Sequence, residues 1–399
     1  MTALDFLVPA SELYDRIRRF QRQLRSNGSD GALIVQNADL YYFSGTIQQA
    51  HLYIPAEGEP LLMARKSLPR AREESALERV EPIKSPRQLP DLLAASGIAM
   101  PHALGLEMDV LPVNQYRVYA DLFPDARLID VSDDIRRVRA VKSTYEIDQI
   151  RFAARMADEV AATMATHLRE GMMEVELAGL IEGEARKRGH QGVVRMRMWG
   201  GELFYGHLLA GPRGAVPSYL ASPTGGAGLT PAVAQGAGFS PIRAREPILL
   251  DYVFAWNGYI ADHTRIFAIG GVPEDLLKAH EAMLTVQETV KRAIHPGAIA
   301  GDLYSLAVDA AKAMGVDQWF MGSDDSRVHF IGHGIGLELD EYPFLAKGQE
   351  TVLASGMVIA LEPKLIIPGK GVVGIENTLL VTESGVEQLT GFDEGICIL

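Results

Sequence analysis

Residues 248–267, ILLDYVFAWNGYIADHTRIF, constrain the fold more than any other stretch: two apolar, β-branched and aromatic runs meet at Asn257-Gly258. That dipeptide between strand-like runs predicts a two-residue type I′ hairpin. The turn fixes the register, setting Val253 opposite Asp262 and Asp251 opposite Thr264. Side chains alternate between faces, so Asp251, Val253 and Asp262 share one face. The two aspartates are then diagonal neighbours, about 7–8 Å apart at Cα. Two like charges driven together out of water require protonation or a cation. An edge hairpin with solvated aspartates is the alternative.

Residues 358–382, VIALEPKLIIPGKGVVGIENTLLVT, repeat the arrangement. Two apolar strands flank a Pro-Gly-Lys-Gly turn, with Glu362 and Glu376 symmetric about Gly369. An odd-length loop centred there opposes the two glutamates directly, which destabilises a hairpin unless something compensates. Between the two acidic segments lies HFIGHGIGLELDEYP, residues 329–343, where Gly332, Gly334 and Gly336 flank His333 and permit close backbone approach. A phosphate-binding loop would need a following helix and GxGxxG or GxxxxGKS/T spacing; LELDEYPF offers neither. A structural histidine is the other reading of His333. Together, Asp251, Asp262, His333, Glu362 and Glu376 suit hard or borderline divalent ions (Mn, Co, Fe or Zn) rather than a thiolate zinc site. Five ligands with four carboxylates suit two such ions, about 3.5–4 Å apart.

The rest of the chain narrows the function classes. Its 399 residues suggest two or three domains, with 47% hydrophobic and 22% charged content, ordinary for a globular protein. A net charge of −13 without a Lys/Arg cluster argues against a nucleic-acid partner. No basic start leads into an apolar h-region, and no uncharged run of about 18 apolar residues exists, so neither a signal peptide nor a membrane span is expected. The lone Cys397 excludes an internal disulfide framework and fits a reducing, cytoplasmic setting.

Periodicity predicts a helix over 11–28, then strands at GALIVQ, LYYFSG, AHLYIP and PLLMAR, with strand–helix alternation to about residue 131. This reads as an α/β domain over 1–138. Ser143 and Glu146 have capping-box spacing and open a long amphipathic helix that starts a second domain, 139–399. A helix near 173–188, a strand-like VVRMRMW, a Gly/Pro-rich stretch from 208 to 237 and helices near 273–294 and 301–314 make this half α+β.

At these residues the chain resembles the pita-bread metallopeptidases, which include Xaa-Pro aminopeptidases, prolidases and methionine aminopeptidases, with creatinase as a non-peptidase relative. KSTYEIDQIRFAARMAD resembles the family's domain junction, and the segment before it the amino-terminal domain of prolidase and creatinase. DYVFAWNGYIADHTRIF, GHGIGLELDEYP, ALEP and GIENT match in order and spacing. The resemblance covers nearly the whole chain and implies an α+β pita-bread catalytic domain behind a smaller α/β domain. It puts Asp251, Asp262, His333, Glu362 and Glu376 on the five metal-ligand positions. It further implies hydrolysis of an amide C–N bond by water bridging two divalent ions, with Glu362 shuttling the proton and His329 as an auxiliary histidine near the substrate. A core histidine beside the metal loop is the other reading of His329. Creatinase does not keep this metal set, so the chain lies nearer the metal-dependent branch. A small peptide or amide substrate, an Xaa-Pro dipeptidase-like activity and a homodimer are also implied.

The match has gaps. Family peptidases carry a substrate-side histidine upstream of the first aspartate ligand, where this chain reads PSYLASPTGGAGLTPAVAQGAG. Asp340 stands where a second histidine is usual, and Gly374 where an arginine often is. Asp340 is therefore expected to recognise a cationic or hydrogen-bond-donating substrate group, or else to face solvent. His207 either compensates as a substrate residue or is structural. Two further readings stay open: a creatinase-like or ectoine-hydrolase-like amidohydrolase on a small non-peptide substrate, and a non-catalytic binding protein on the same fold.

Overall fold

The structure is a computed structural model that describes residues 6–399, except the side chain of Asp324. Two compact units divide the chain, Met1–Arg139 and Ala140–Leu399.

The first unit opens with helix α1 (Ala10–Asn27), which buries Leu13, Ile17, Phe20 and Leu24 on one face and ends at Gly28 in a left-handed cap, φ 75°. Strand β1 (Gly31–Ile34) and helix α2 (Asn37–Ser44) follow, then strands β2 (Ala50–Pro55) and β3 (Leu61–Ala64). Helix α3 (Leu68–Glu74), strand β4 (Val80–Pro82), helix α4 (Leu89–Ala95) and strand β5 (Ala103–Leu106) continue the alternation. Helix α5 (Val113–Leu122), strand β6 (Arg127–Asp130) and helix α6 (Ser132–Ala140) complete it. The sheet runs β4-β3-β2-β1-β5-β6, with β1, β5 and β6 mutually parallel and β2 antiparallel to both of its neighbours. Leu33, Leu61, Leu104 and Phe123 are among its core, each contributing about 1.5–3 kcal/mol by burial.

One strand expectation fails here. LYYFSG folds as the end of α2, because Gln36 caps the first turn through Asp39 N–H and Gly45 stops it with φ 77°. The aromatic residues favour a strand by propensity, but caps at both ends and the burial of Leu40, Tyr42 and Phe43 decide for helix.

The second unit begins with helix α7 (Thr144–Ala162), whose capping box of Ser143 and Glu146 is formed in both directions. Helices α8 (Met164–His167) and α9 (Glu174–Lys187) precede strand β7 (Gly206–Ala210) and the long hairpin β8 (Ile248–Trp256) and β9 (Tyr259–Ala268). Helices α10 (Glu274–Ala293) and α11 (Ala300–Ala313) then lead to strands β10 (Phe330–Gly334), β11 (Glu341–Ala346) and β12 (Val358–Leu361). A second hairpin, β13 (Lys364–Ile367) and β14 (Gly371–Gly374), is followed by β15 (Asn377–Thr382), β16 (Gly385–Gln388) and β17 (Cys397–Ile398). The strands form a four-stranded sheet, β17-β9-β8-β7, a five-stranded sheet, β11-β10-β12-β15-β16, and the two-stranded β13-β14 ribbon. Helices α7 and α9 pack their Ala153, Ala157, Leu177 and Ile181 against the first sheet's Leu250 and Phe254. Helices α10 and α11 pack Met283, Val286 and Ala307 against Ile359 and Leu361 of the second. VVRMRMW forms no strand: Arg195 O accepts from Leu339 N–H, and the Arg197 and Met198 N–H groups donate to the Asp340 carboxylate rather than to a ladder. Among the described residues no helix is long and apolar enough to cross a membrane.

Candidate metal centre

Each hairpin delivers two carboxylates. At the β8–β9 turn Asn257 and Gly258 have φ of 47° and 86°, the left-handed conformation that both central residues of a type I′ turn require. Val253 pairs with Asp262 and Asp251 with Thr264, the register expected from the turn, so both aspartates lie on one face. In the second hairpin Lys364 pairs with Gly374, while Leu361 of β12 pairs with Asn377 of β15. The two ladders share one register, and Glu362 and Glu376 stand opposed in the gap between them. A β-bridge between Thr264 and Glu376 joins the hairpins. His333 enters on β10, paired with Ala360.

Asp262, His333 and Glu376 each offer a ligand atom, and these atoms all lie within 4.8 Å of one another. His333 Nδ1 is 3.3 Å from the Gly334 carbonyl. A carbonyl only accepts, so Nδ1 carries a proton, which leaves Nε2 as the nitrogen able to ligate an ion. That Nε2 is 3.6 Å from Glu362 Oε1 and 4.0 Å from Glu376 Oε1. Asp262 is 5% exposed, and its Oδ1 is buried without a hydrogen-bond partner. Burial first, then the charge of Asp251, pushes the Asp262 carboxyl well above the usual carboxylate range. A buried, orphaned carboxylate oxygen next to an imidazole nitrogen and a second carboxylate is a donor set that fits a divalent ion.

Sequence reasoning missed Lys364. Its side chain is 1% exposed, and Nζ lies 3.1 Å from Asp251 Oδ2, 2.9 Å from Glu362 Oε2 and 2.7 Å from Glu376 Oε2. Burial opposes its charge, but the carboxylates of Asp251, Glu362 and Glu376 outweigh it and raise the ammonium well above its ordinary value. Burial likewise opposes ionisation of Asp251, yet the neighbouring ammonium leaves its pKa lowered. The signal was available: Lys364 is two residues after Glu362 in the same extended run of sequence, and such residues share a face.

Hydroxyls and a guanidinium hold the carboxylates from behind. Thr264 Oγ1 donates to Glu376 Oε2 at 2.9 Å, and Thr378 Oγ1 accepts from Asp262 N–H while donating to its carbonyl. Arg265, 1% exposed, donates to the carbonyls of Thr264, Glu376 and Phe392 and to Asn377 Oδ1. His207 pairs with Asp251 across β7–β8 and is buried, with its ring nitrogens 3.0 Å from Thr224 Oγ1 and 3.1 Å from Gln235 Oε1. Thr224 Oγ1 is in turn 3.0 Å from Asp251 Oδ2. His207 is thus packed behind Asp251, which favours its structural reading. Burial lowers its pKa despite the charge of Asp251.

The other two sequence candidates sit elsewhere. His329 is exposed, with Nδ1 3.5 Å from the Tyr304 hydroxyl, and no contact among the described residues joins it to the carboxylates. The structure gives Asp340 partners within the chain: Oδ1 accepts from Arg197 N–H and Oδ2 from Met198 N–H, each at 2.7 Å. Its carboxylate fastens the 195–198 segment, because ionised acceptors bind amide N–H groups strongly. Asp340→Ala is expected to cost about 1–3 kcal/mol and to speed hydrogen exchange at the Arg197 and Met198 amides. Unchanged exchange there would contradict this role.

A β-ribbon pair converging four carboxylates and an imidazole on one buried point defines a metal-dependent hydrolase of the pita-bread type. Residues 148–383 match Metallopeptidase family M24, and residues 16–141 match the Creatinase/Prolidase N-terminal domain. The chain belongs to metallopeptidase family M24. It is similar to an Xaa-Pro dipeptidase of Pyrococcus furiosus, 28% identical over 94% of this chain and 97% of that protein. Among solved structures, the prolidase from Pyrococcus horikoshii OT3 gives a TM-score of 0.79 at 26% identity, covering 95% of this chain and 99% of that one. An Xaa-Pro dipeptidase from Bacillus anthracis shares the fold with a TM-score of 0.82 at 24% identity, covering 97% of this chain and 100% of that one.

Proposed function

We propose that this chain hydrolyses the C–N bond of small peptides of the Xaa-Pro type with a divalent ion held at Asp262, His333 and Glu376. The observation that carries this is the buried, partnerless Asp262 Oδ1 beside the His333–Glu376 pair, in a fold shared with prolidases. When bound, the ion would supply Lewis acidity at the scissile carbonyl and acidify a water. The chain's own residues do the rest. His333 is oriented by its Nδ1 bond to Gly334, and Glu362 keeps Oε1 turned toward the imidazole side, where it can take up and return a proton. The oxygen-rich donor set favours Mn, Co, Fe or Zn as the ion. A cytoplasmic setting, supported by the lone Cys397, and a homodimer, supported by the family resemblance, complete the proposal.

A panel of Xaa-Pro dipeptides, amino-terminal peptides and small cationic amides tests it. Turnover of the dipeptides should vanish on chelation and return with Mn or Co. Absence of turnover of every peptide by metal-loaded protein would remove the peptide reading. One observation favours the alternative of a small non-peptide amide: the stretch 217–238 contains no histidine, and Asp340 is engaged with backbone amides. Turnover confined to the amides would select it.

A further inference from the structure

The carboxylate cluster has two unlike halves. Glu362 and Glu376 turn Oε1 toward His333 Nε2 and Oε2 toward Lys364 Nζ, so each glutamate bridges an imidazole side and an ammonium side. Asp251 Oδ2 belongs to the ammonium side, while Asp262, with its unpartnered Oδ1, lies in the imidazole group. We propose that Lys364 is a built-in replacement for one of two cations, so that the chain binds a single divalent ion at Asp262, His333 and Glu376. The proposal rests on the metal-dependent reading above and specifies the metal count.

Three observations support it. First, an ion ligated by Asp251, Glu362 and Glu376 would sit about 2.0–2.2 Å from their oxygens. Lys364 Nζ already lies among those oxygens at 2.7–3.1 Å, so the two cations compete for one volume. Second, the three N–H bonds of an ammonium are satisfied by the three carboxylates, and withdrawing Nζ would leave a buried charge unpaired. Third, the backbone makes room for the lysine. Gly374, paired with Lys364, has φ 149°, and a Cβ there would lie 2.6 Å from Lys364 Cα and 3.0 Å from its Cγ. Charge balance agrees. Four carboxylates with one ammonium and one divalent ion leave a single negative charge. A second divalent ion would make the buried cluster positive and set it against the lysine.

An ammonium and a metal ion are chemically distinct partners. Lys364 neutralises charge and donates hydrogen bonds, but it has no vacant coordination position for water or a carbonyl oxygen. The Asp251 half of the site is thereby electrostatic and the His333 half coordinative.

The test is metal stoichiometry on the full chain, with Mn(II) and Co(II) as probes, by native mass spectrometry and elemental analysis after removal of excess ion. Wild-type protein should retain one ion and give the electron paramagnetic resonance signal of an isolated Mn(II). Lys364→Ala should retain twice as much. Asp251→Asn should keep the ion, whereas His333→Ala should lose it; this pair leaves the buried lysine in place and does not depend on how Lys364→Ala folds. Two ions on wild type, or equal loss from Asp251→Asn and His333→Ala, would overturn the single-ion assignment while leaving a metallopeptidase. Retention of no ion by wild type would overturn that reading as well.

Discussion

Glu362→Gln is expected to lower kcat by about 10²–10⁴-fold, the range for losing a positioned acid–base group, with the fold retained. Glu362 has one oxygen on each half of the cluster, at 2.9 Å from Lys364 Nζ and 3.6 Å from His333 Nε2. A glutamine carbonyl can still accept from the ammonium, which preserves packing. Its NH₂ must then face the imidazole side, where it neither accepts a proton nor ligates an ion. Steady-state kinetics on metal-loaded protein, with circular dichroism as the fold control, decides the matter. A near-normal kcat would remove Glu362 from the chemistry.

Arg265→Met should destabilise the chain by about 3–5 kcal/mol, since several buried acceptors each lose a charged donor worth about 1.5–3 kcal/mol. The guanidinium ties the main chain of β9 to that of Glu376, just before β15, donating to Thr264 O at 2.8 Å and Glu376 O at 2.9 Å. Burial lowers its pKa to about 10, so it remains charged at neutral pH. Removing it strips a charged donor from each acceptor and leaves Thr264 O and Glu376 O with only the long bonds of their mutual bridge, 3.5 and 3.3 Å. Arg265→Lys should not restore them, because a single ammonium cannot reach Phe392, Thr264, Glu376 and Asn377 together. Urea denaturation measures the effect, and a loss below about 1 kcal/mol would show that the carbonyls find other partners.

Both acidic hairpins were legible in the sequence because turn chemistry and strand alternation are local rules. Asn257-Gly258 set the Asp251–Thr264 and Val253–Asp262 pairs, and Gly369 set the Glu362–Glu376 opposition. The face of Lys364 follows from the same alternation but its role does not, because repelling carboxylates call equally for an external cation or for an internal one two residues away. The partners of Asp340, the amides of Arg197 and Met198, were not legible because they come from a segment more than a hundred residues earlier that carries no turn or ladder signal. The LYYFSG segment shows the limit of propensity, since Gln36 and Gly45 outside the aromatic run determine its conformation.

The Asp251–Asp262 pair and the Glu362–Glu376 pair, each formed within its own hairpin, are kept apart for most of folding. Each hairpin closes on a short turn, but the Thr264–Glu376 bridge that brings them together spans 112 residues, a closure that is entropically slow relative to the hairpins themselves. The repulsive encounter is therefore deferred to a docking event late in assembly. Lys364 travels on the same ribbon as Glu362 and meets Asp251 when the ribbons dock. The approaching strand brings its own counter-charge, so the catalytic half can assemble in a cell or a refolding buffer before any metal has been acquired.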